Sequence, residues 1–396
     1  MKTIMSTQFR HFRRVPFLAL VVASTSGFPT SPANAQGKML APDTISTGDV
    51  FGFSVTPDGE TSFFVRSFGG REKLVLLKAE MQKGHWQKPE TAPFSFSDGR
   101  FQDIDPVVSP DGKLVLFNSN RPLPGESATG DFNVWVSHKT RTGWGAPSVL
   151  SNAINSDSAD IYAGMSLAGN VYFGSRRAGG LGSLDLYVSK FKNGNYQVPV
   201  NLGPEINSAG SDSNPYIAPD ENYLIFASGR PNAKSFMVSF RVDGKWSSPV
   251  ELPVRSDAAG SMFCPFVDNR SKTFYFARTR VENGKRIENI YYLPLSELKL
   301  DSLRARATSL MTYVGKYKIE PATGISTIEI WIKDGKLLGS ADGQQTLQLE
   351  LTSVPDQLLI VENGEKINFV RDDKKQIKSL KINMPDGEVT AVKQPG

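Results

Sequence analysis

Apolar positions in this chain fall into short runs separated by turn residues, and one arrangement of runs recurs. A short apolar run leads to a turn and then to a strand ending in phenylalanine. Pro57-Asp58-Gly59 precedes Phe64, Pro110-Asp111-Gly112 precedes Phe117, and Pro219-Asp220 precedes Phe226. Leu167-Ala168-Gly169 before Phe173 and Asp268-Asn269 before Phe276 keep the spacing without the Pro-Asp pair. Pro and Asp preset a tight turn and Gly permits positive φ, so each copy predicts a β-hairpin. The closing phenylalanines are 53, 56, 53 and 50 residues apart, the period of a repeated supersecondary unit.

Each unit carries two further strands. One has an aromatic or aliphatic centre, as in Val134-Trp135-Val136, Leu186-Tyr187-Val188, Phe236-Met237-Val238 and Ile290-Tyr291-Tyr292. The other is marked by Gly, an aromatic, and a Pro three residues beyond the aromatic: Trp86 with Pro89, Trp144 with Pro147, Tyr196 with Pro199, Trp246 with Pro249. Four short strands per unit of this length predict a β-propeller blade. The fifth unit lacks the last strand, and Gly37-Lys38-Met39-Leu40-Ala41-Pro42 has the offsets of Gly244 to Pro249. The expectation is an all-β fold: a five-bladed propeller, six-bladed as the alternative, closed by an N-terminal strand that leaves no open sheet edge. Met39 is expected beside Tyr291, at the place that Trp246 takes in its own blade.

These repeats resemble the WD-like, Pro-Asp propeller repeats of TolB-type bacterial envelope proteins. The resemblance lies in Ser109-Pro110-Asp111-Gly112-Lys113, Gly179-Gly180-Leu181-Gly182-Ser183-Leu184-Asp185-Leu186-Tyr187 and Pro199 to Ser208. It covers residues 40–295 and implies a fold more than an activity, since such propellers serve as binding platforms, companions of peptidoglycan-binding domains and gates on peptidases. TolB-type propellers usually have six blades, so a count of five departs from them.

The period then changes. Leu295, Leu298, Leu303 and Leu310 among charged residues predict a linker helix, 301–311. Beyond it, alternating runs turn at Asp334-Gly335, Asn363-Gly364 and Pro385-Asp386-Gly387, which are hairpin signals. A small antiparallel β domain is expected over 312–396, after a propeller over 36–300. Tyr313-Val314-Gly315-Lys316-Tyr317, Asp334 to Leu337 and Ile367-Asn368-Phe369 make it similar to the small β domain appended to some serine β-lactamase-like hydrolases, with the hydrolase absent.

Charge changes the picture at the N-terminus. Arg10, Arg13 and Arg14 precede the apolar run Val15 to Ala23, and Ala33-Asn34-Ala35 has the small-x-small form of a signal peptidase site. Residues 1–35 are expected to be a cleaved export signal, making the protein periplasmic, or secreted as the alternative. Of 45 basic residues this segment holds four, leaving 41 against 40 acidic. That balance lacks the basic footprint of nucleic-acid binding. No later stretch has the roughly 18 apolar positions of a membrane span.

Candidate chemistry is sparse. Gly164-Met165-Ser166-Leu167-Ala168 falls short of a nucleophile elbow. His85 and His138 lack a partnered nucleophile and read as solvated loop residues, and Cys264 as a buried small hydrophobe. Asp157 to Asp160 and Asp103 to Asp105 lack the alternating ligands of a calcium loop, so neither metal nor cofactor is expected. The strongest constellation is repeated. Asp103, Asp160 and Asp212 stand three residues before Pro106, Ala163 and Pro215, and Arg121, Arg177, Arg230 and Arg280 four after the closing phenylalanines. Both sets belong at one end of the ring. They are candidate ligand groups for a protein, peptide or glycan at the channel mouth, and their recurrence favours Arg–Asp bracing of the blades. Tyr162, Tyr216, Arg176 and Arg278 could extend such a site. A non-catalytic binding or scaffold protein of the envelope is the leading expectation. The alternative is a five-bladed carbohydrate-active enzyme drawing its carboxylates from Asp103, Asp105, Asp160, Asp212 and Asp268.

Overall fold

A computed structural model describes residues 36–395 except 232, 256–259, 324, 334, 385 and 386. The export signal expected over 1–35 lies outside the described residues, as do Asp334 and the Pro385-Asp386 part of two expected turns. Five antiparallel sheets follow one another and form five blades. The inner strands are Val50–Val55, Asp103–Val108, Asp160–Met165, Asp212–Ile217 and Met262–Asp268. Each pairs with the strand that carries a closing phenylalanine.

The registers repeat from blade to blade. Across its blade, Phe64 pairs with Leu77 and Leu77 with Thr91. The same triplet recurs as Phe117, Trp135, Val149, and as Phe173, Tyr187, Asn201. It returns as Phe226, Met237, Glu251 and as Phe276, Tyr291, Met39. The five phenylalanines are buried to 1% exposure or less. They form the layer on which neighbouring blades pack.

Lys38–Met39 therefore closes the fifth blade, with Met39 paired to Tyr291. Its register differs from the expected one. Met39 stands where Glu251 stands in the fourth blade, not where Trp246 does. The Gly-aromatic segment instead folds back on the far end of the third strand, Trp246 opposite Arg241, and only after the proline does the chain return as the true outer strand. Trp144 and Trp246 pack edge-on against Phe63 and Tyr172 of other blades.

A 3-10 turn, Leu295–Leu298, leads into helix α1, Leu300–Tyr313. Helix α1 is longer than the 301–311 expected. Its apolar residues recur at helical spacing, yet they serve two cores. Leu300, Leu303 and Ala307 join a core shared by the first, fourth and fifth blades, whereas Leu310 and Tyr313 belong to the core of the C-terminal domain. Arg304 donates to the Asn222 carbonyl at 3.0 Å and lies over the Phe240 ring.

The C-terminal domain is a closed antiparallel barrel of eight strands, from Gly315–Thr323 to Gly387–Lys393. Pairing of Tyr317 with Lys393 and of Ile319 with Ala391 closes it. Tyr317, Leu358 and Leu380 fill the interior with no exposed surface.

Candidate functional site

The Asp and Arg sets meet in three blades. In the second, Arg121 Nη2 donates to Asp103 Oδ1 at 2.7 Å and to the Phe94 carbonyl at 3.2 Å, and its Nε donates to Ser119 Oγ. In the third, Arg177 Nη2 donates to Asp160 Oδ1 at 2.8 Å and to the Ile154 carbonyl at 2.6 Å. In the fourth, Arg230 reaches Asp212 Oδ1 at 3.2 Å and the Ile206 carbonyl at 2.8 Å. The second carboxylate oxygens are filled by Ser95, Ser156 and Ser208. All three aspartates have zero exposure. The carbonyl and the serine in each case come from the crossover out of the preceding blade, so each pair joins two blades.

The pattern stops at the ends of the ring. Met262 takes the register position of the aspartate in the fifth blade, and Arg280 pairs with Glu282 on its own strand at 2.7 Å. Arg278 turns inward, donating to the Gln36 carbonyl at 2.7 Å over the Tyr291 ring. In the first blade Val50 occupies the aspartate position.

A second ring lies on the propeller axis. Every inner strand carries a bulge opposite its closing phenylalanine, where the register skips between Phe51 and Ser54, Ile104 and Val107, Ile161 and Gly164, Ser213 and Tyr216, and Phe263 and Phe266. The first bulge residue is left-handed each time: Gly52, Asp105, Tyr162, Asn214 and Cys264, with φ between 50° and 64°. Asp and Asn tolerate this region, whereas Tyr and Cys do so at a cost of about 1–3 kcal/mol. Proline follows at 106, 215 and 265, where the missing N–H is tolerated because the bulge interrupts the ladder.

These five residues line an axial constriction of about 30 Å³. The Cys264 thiol donates to Asp105 Oδ1 at 3.0 Å, and Asn214 Nδ2 donates to Cys264 Sγ at 3.5 Å. Cys264 is thus a hydrogen-bonded member of a polar cluster, not the simple hydrophobe expected. Asp105 Oδ2 is buried without a hydrogen-bond partner among the described residues. Burial first, then the Glu288 charge, raises the Asp105 carboxyl to about 6, against the thiol bond and Arg71, which lower it. Burial pushes the Cys264 thiol and the Tyr162 hydroxyl well up. Arg71 lies over the Phe51 and Phe263 rings, and its Nε and Nη2 both go to Glu288, at 3.2 and 2.7 Å.

Toward the Pro-Asp hairpins the axis widens into a funnel of about 190 Å³. All five blades contribute to its wall, among them Val55, Val108, Met165, Ile217 and Val267. Pro57, Pro110, Leu167 and Pro219 rim it, and Leu167 is 65% exposed. The funnel and the constriction share Val107, Pro215, Pro265 and Phe266, so they are continuous along the axis.

Tyr216 and Asp268 also line the funnel, and the other candidates are scattered. His85 and His138 are exposed on strands rather than in loops. Ser166 is a buried turn residue whose hydroxyl accepts the Asn170 N–H. Asp268 takes the Arg270 N–H and the Ser271 hydroxyl in its own hairpin. Tyr216 is buried. Among the described residues no group of three or more His, Cys, Asp or Glu could hold a metal ion.

The bulge ring is the feature that sequence reading missed. Its signal was present as Asp105-Pro106, Asn214-Pro215 and Cys264-Pro265 at one repeat offset. A bulge, however, changes which face a residue takes, and period-two reading assumes none.

No family model and no curated protein matches the sequence. Solved structures similar to it include a protein assigned as TolB from Agrobacterium tumefaciens, 17% identical over 62% of this chain and 90% of that one, with a TM-score of 0.39. Another is the α-L-arabinofuranosidase of Podospora anserina in complex with cellotriose, 14% identical over 66% and 95% of the two chains, TM-score 0.38. A family 43 endo-arabinanase from Bacillus licheniformis is 14% identical over 63% and 96%, TM-score 0.39. Likeness at this level carries no chemistry from those proteins to this one. The blade count rests on the five sheets themselves.

Proposed function

We propose that this chain is a non-catalytic binding protein of the cell envelope, which takes a protein, peptide or cell-wall segment into the axial funnel at the hairpin end. The observation that carries this reading is the funnel itself. It is a concave, largely apolar cavity built by all five blades, with a polar cluster at its floor, the usual composition of a binding site. Asp103, Asp160 and Asp212 with Arg121, Arg177 and Arg230 serve in this reading as braces between blades, and Arg280 as a surface charge. Export to the periplasm follows from the N-terminal charge and apolar pattern.

Asp105 is the feature that suits the alternative of a carbohydrate-active enzyme, because a carboxyl raised to about 6 resembles a general acid. Such an enzyme also needs an ionised partner carboxylate across the substrate; Glu288 is occupied by Arg71, and Asp268 in the funnel wall by the Arg270 N–H and the Ser271 hydroxyl. The two readings separate when residues 36–396 are used to capture partners from an envelope extract, beside a glycan array. A discrete partner, lost on Leu167→Glu at the funnel rim, is expected. Glycan binding followed by product release would replace this reading with the enzymatic one.

A further inference from the structure

The funnel ends on a carboxylate that the chain itself leaves incomplete. Asp105 is 6% exposed, its Oδ1 takes the Cys264 thiol, and its Oδ2 has no partner among the described residues. Gly52, without a side chain, lets the Asp105 backbone and carboxylate approach the first blade closely: an added Cβ would lie 3.3 Å from Oδ1. Of the charged and titratable groups that face Asp105, Arg71 lowers its pKa by charge alone while its Nε and Nη2 bond Glu288, and burial raises the pKa of Cys264 and Tyr162. Arg286 also turns to Glu288, at 3.6 Å. No cation is hydrogen-bonded to Asp105 Oδ2 among the described residues, and a buried carboxylate oxygen in that state is costly.

We propose that the propeller axis binds an aliphatic primary ammonium group, its alkyl stem in the apolar funnel and its nitrogen on Asp105 Oδ2. This deepens the binding reading above and rests on it. Three features select the ligand. The constriction, about 30 Å³, has room for one or two water-sized groups, which admits an –NH₃⁺ head and excludes a guanidinium or a substituted ammonium. Tyr162 and Asn214 line the same constriction, and a phenol or amide oxygen is able to accept a further N–H bond. The approach is walled by Val107, Met165, Ile217 and Phe266, which suits a methylene stem and not a sugar ring. A free alkylamine and a peptide-borne lysine side chain share this chemistry.

The test is calorimetric titration of residues 36–396 at pH 8 with n-pentylamine, n-pentanol and N-acetyl-lysine methylamide. Charge-assisted hydrogen bonds lead to an expected preference of about 10-fold or more for the amine over the alcohol. The preference should vanish in Asp105→Asn, and should fade in the parent as pH drops through about 6 and Asp105 takes its proton. Lysine amide binding like pentylamine identifies a peptide-borne source, and pentylamine alone a free amine. Equal binding of amine and alcohol in the parent, no binding of either, or a preference that survives Asp105→Asn overturns the proposal. The parent comparison stands even if the variant fails to fold. A protein that captures its envelope partner through the funnel but treats amine and alcohol alike keeps the binding reading and loses this inference.

Discussion

Two aspartate environments in one repeat lead to opposite expectations at the level of single residues. Asp160 is fully buried, but Arg177, Ser156 and the Ser156 N–H saturate it. Removing the guanidinium leaves a buried charge unpaired, at a cost of about 3 to 5 kcal/mol. Arg177→Ala should therefore lower the Tm by roughly 10 °C, and thermal denaturation measures it. An unchanged Tm together with lost partner capture would move Arg177 from brace to ligand contact. Asp105 is the reverse case. Burial raises its carboxyl to about 6, well above the ordinary aspartate value of 3.8, so its contribution to stability is fully present below about pH 4 and is lost as pH rises through 6. Asp105→Asn cannot titrate and keeps the left-handed backbone that Asn accepts. It should gain on the parent between pH 4 and pH 8 by up to about 3 kcal/mol, read as a Tm difference that widens with pH. A difference independent of pH would contradict the raised carboxyl.

Elements that close or bridge the cores decide how far truncation is tolerated. The strand Lys38–Met39 makes the outer edge of the fifth blade, and Leu40 beside it is 7% exposed and bonded to the Ile290 carbonyl. Deleting residues 36–44 uncovers a strand edge and the apolar face under it. Loss of cooperative melting and aggregation in size-exclusion chromatography are expected. Helix α1 is divided between two cores, so the point of cutting matters. Stopping the chain after Met311 keeps Leu300, Leu303 and Ala307 on the propeller and should leave the ring folded. Stopping after Leu298 removes that cover and should lower the Tm clearly, and comparing the two truncations checks the assignment. If both melt alike, α1 contributes only to the barrel.

For the molecule as a whole, repetition builds the ring while departures from repetition build the site. Braces recur in three blades with little variation. The axial ring instead holds five different residue types at one backbone position, Gly52, Asp105, Tyr162, Asn214 and Cys264, which makes a constriction without fivefold chemical symmetry. A ligand entering from the hairpin end meets the apolar funnel before that cluster. Leu167→Glu alters an exposed rim residue and should leave the Tm unchanged while abolishing capture of the proposed envelope partner. A variant that captures normally would place binding elsewhere on the surface.

The blade repeat, the count of five and the N-terminal closure were legible in the residues, because Pro-Asp turns, closing phenylalanines and alternating strands are local signals with a fixed period. The Asp103, Asp160 and Asp212 positions and their arginine partners were legible for the same reason. Three matters were decided only by tertiary structure. The register of Lys38–Met39 depends on hydrogen bonds to Tyr291 and Tyr292, some 250 residues away, and a Gly-x-x-x-x-Pro spacing cannot distinguish the fold-back from the outer strand. Closure of the C-terminal barrel joins its first and last strands, a pairing that no hairpin signal encodes. The axial cluster exists because five inner strands bulge at the same height and bring Asp105 and Cys264, 159 residues apart, to 3.0 Å. Local sequence determines dihedral preference and burial period. Which unlike residues converge on a shared axis is set by the packing of the whole ring.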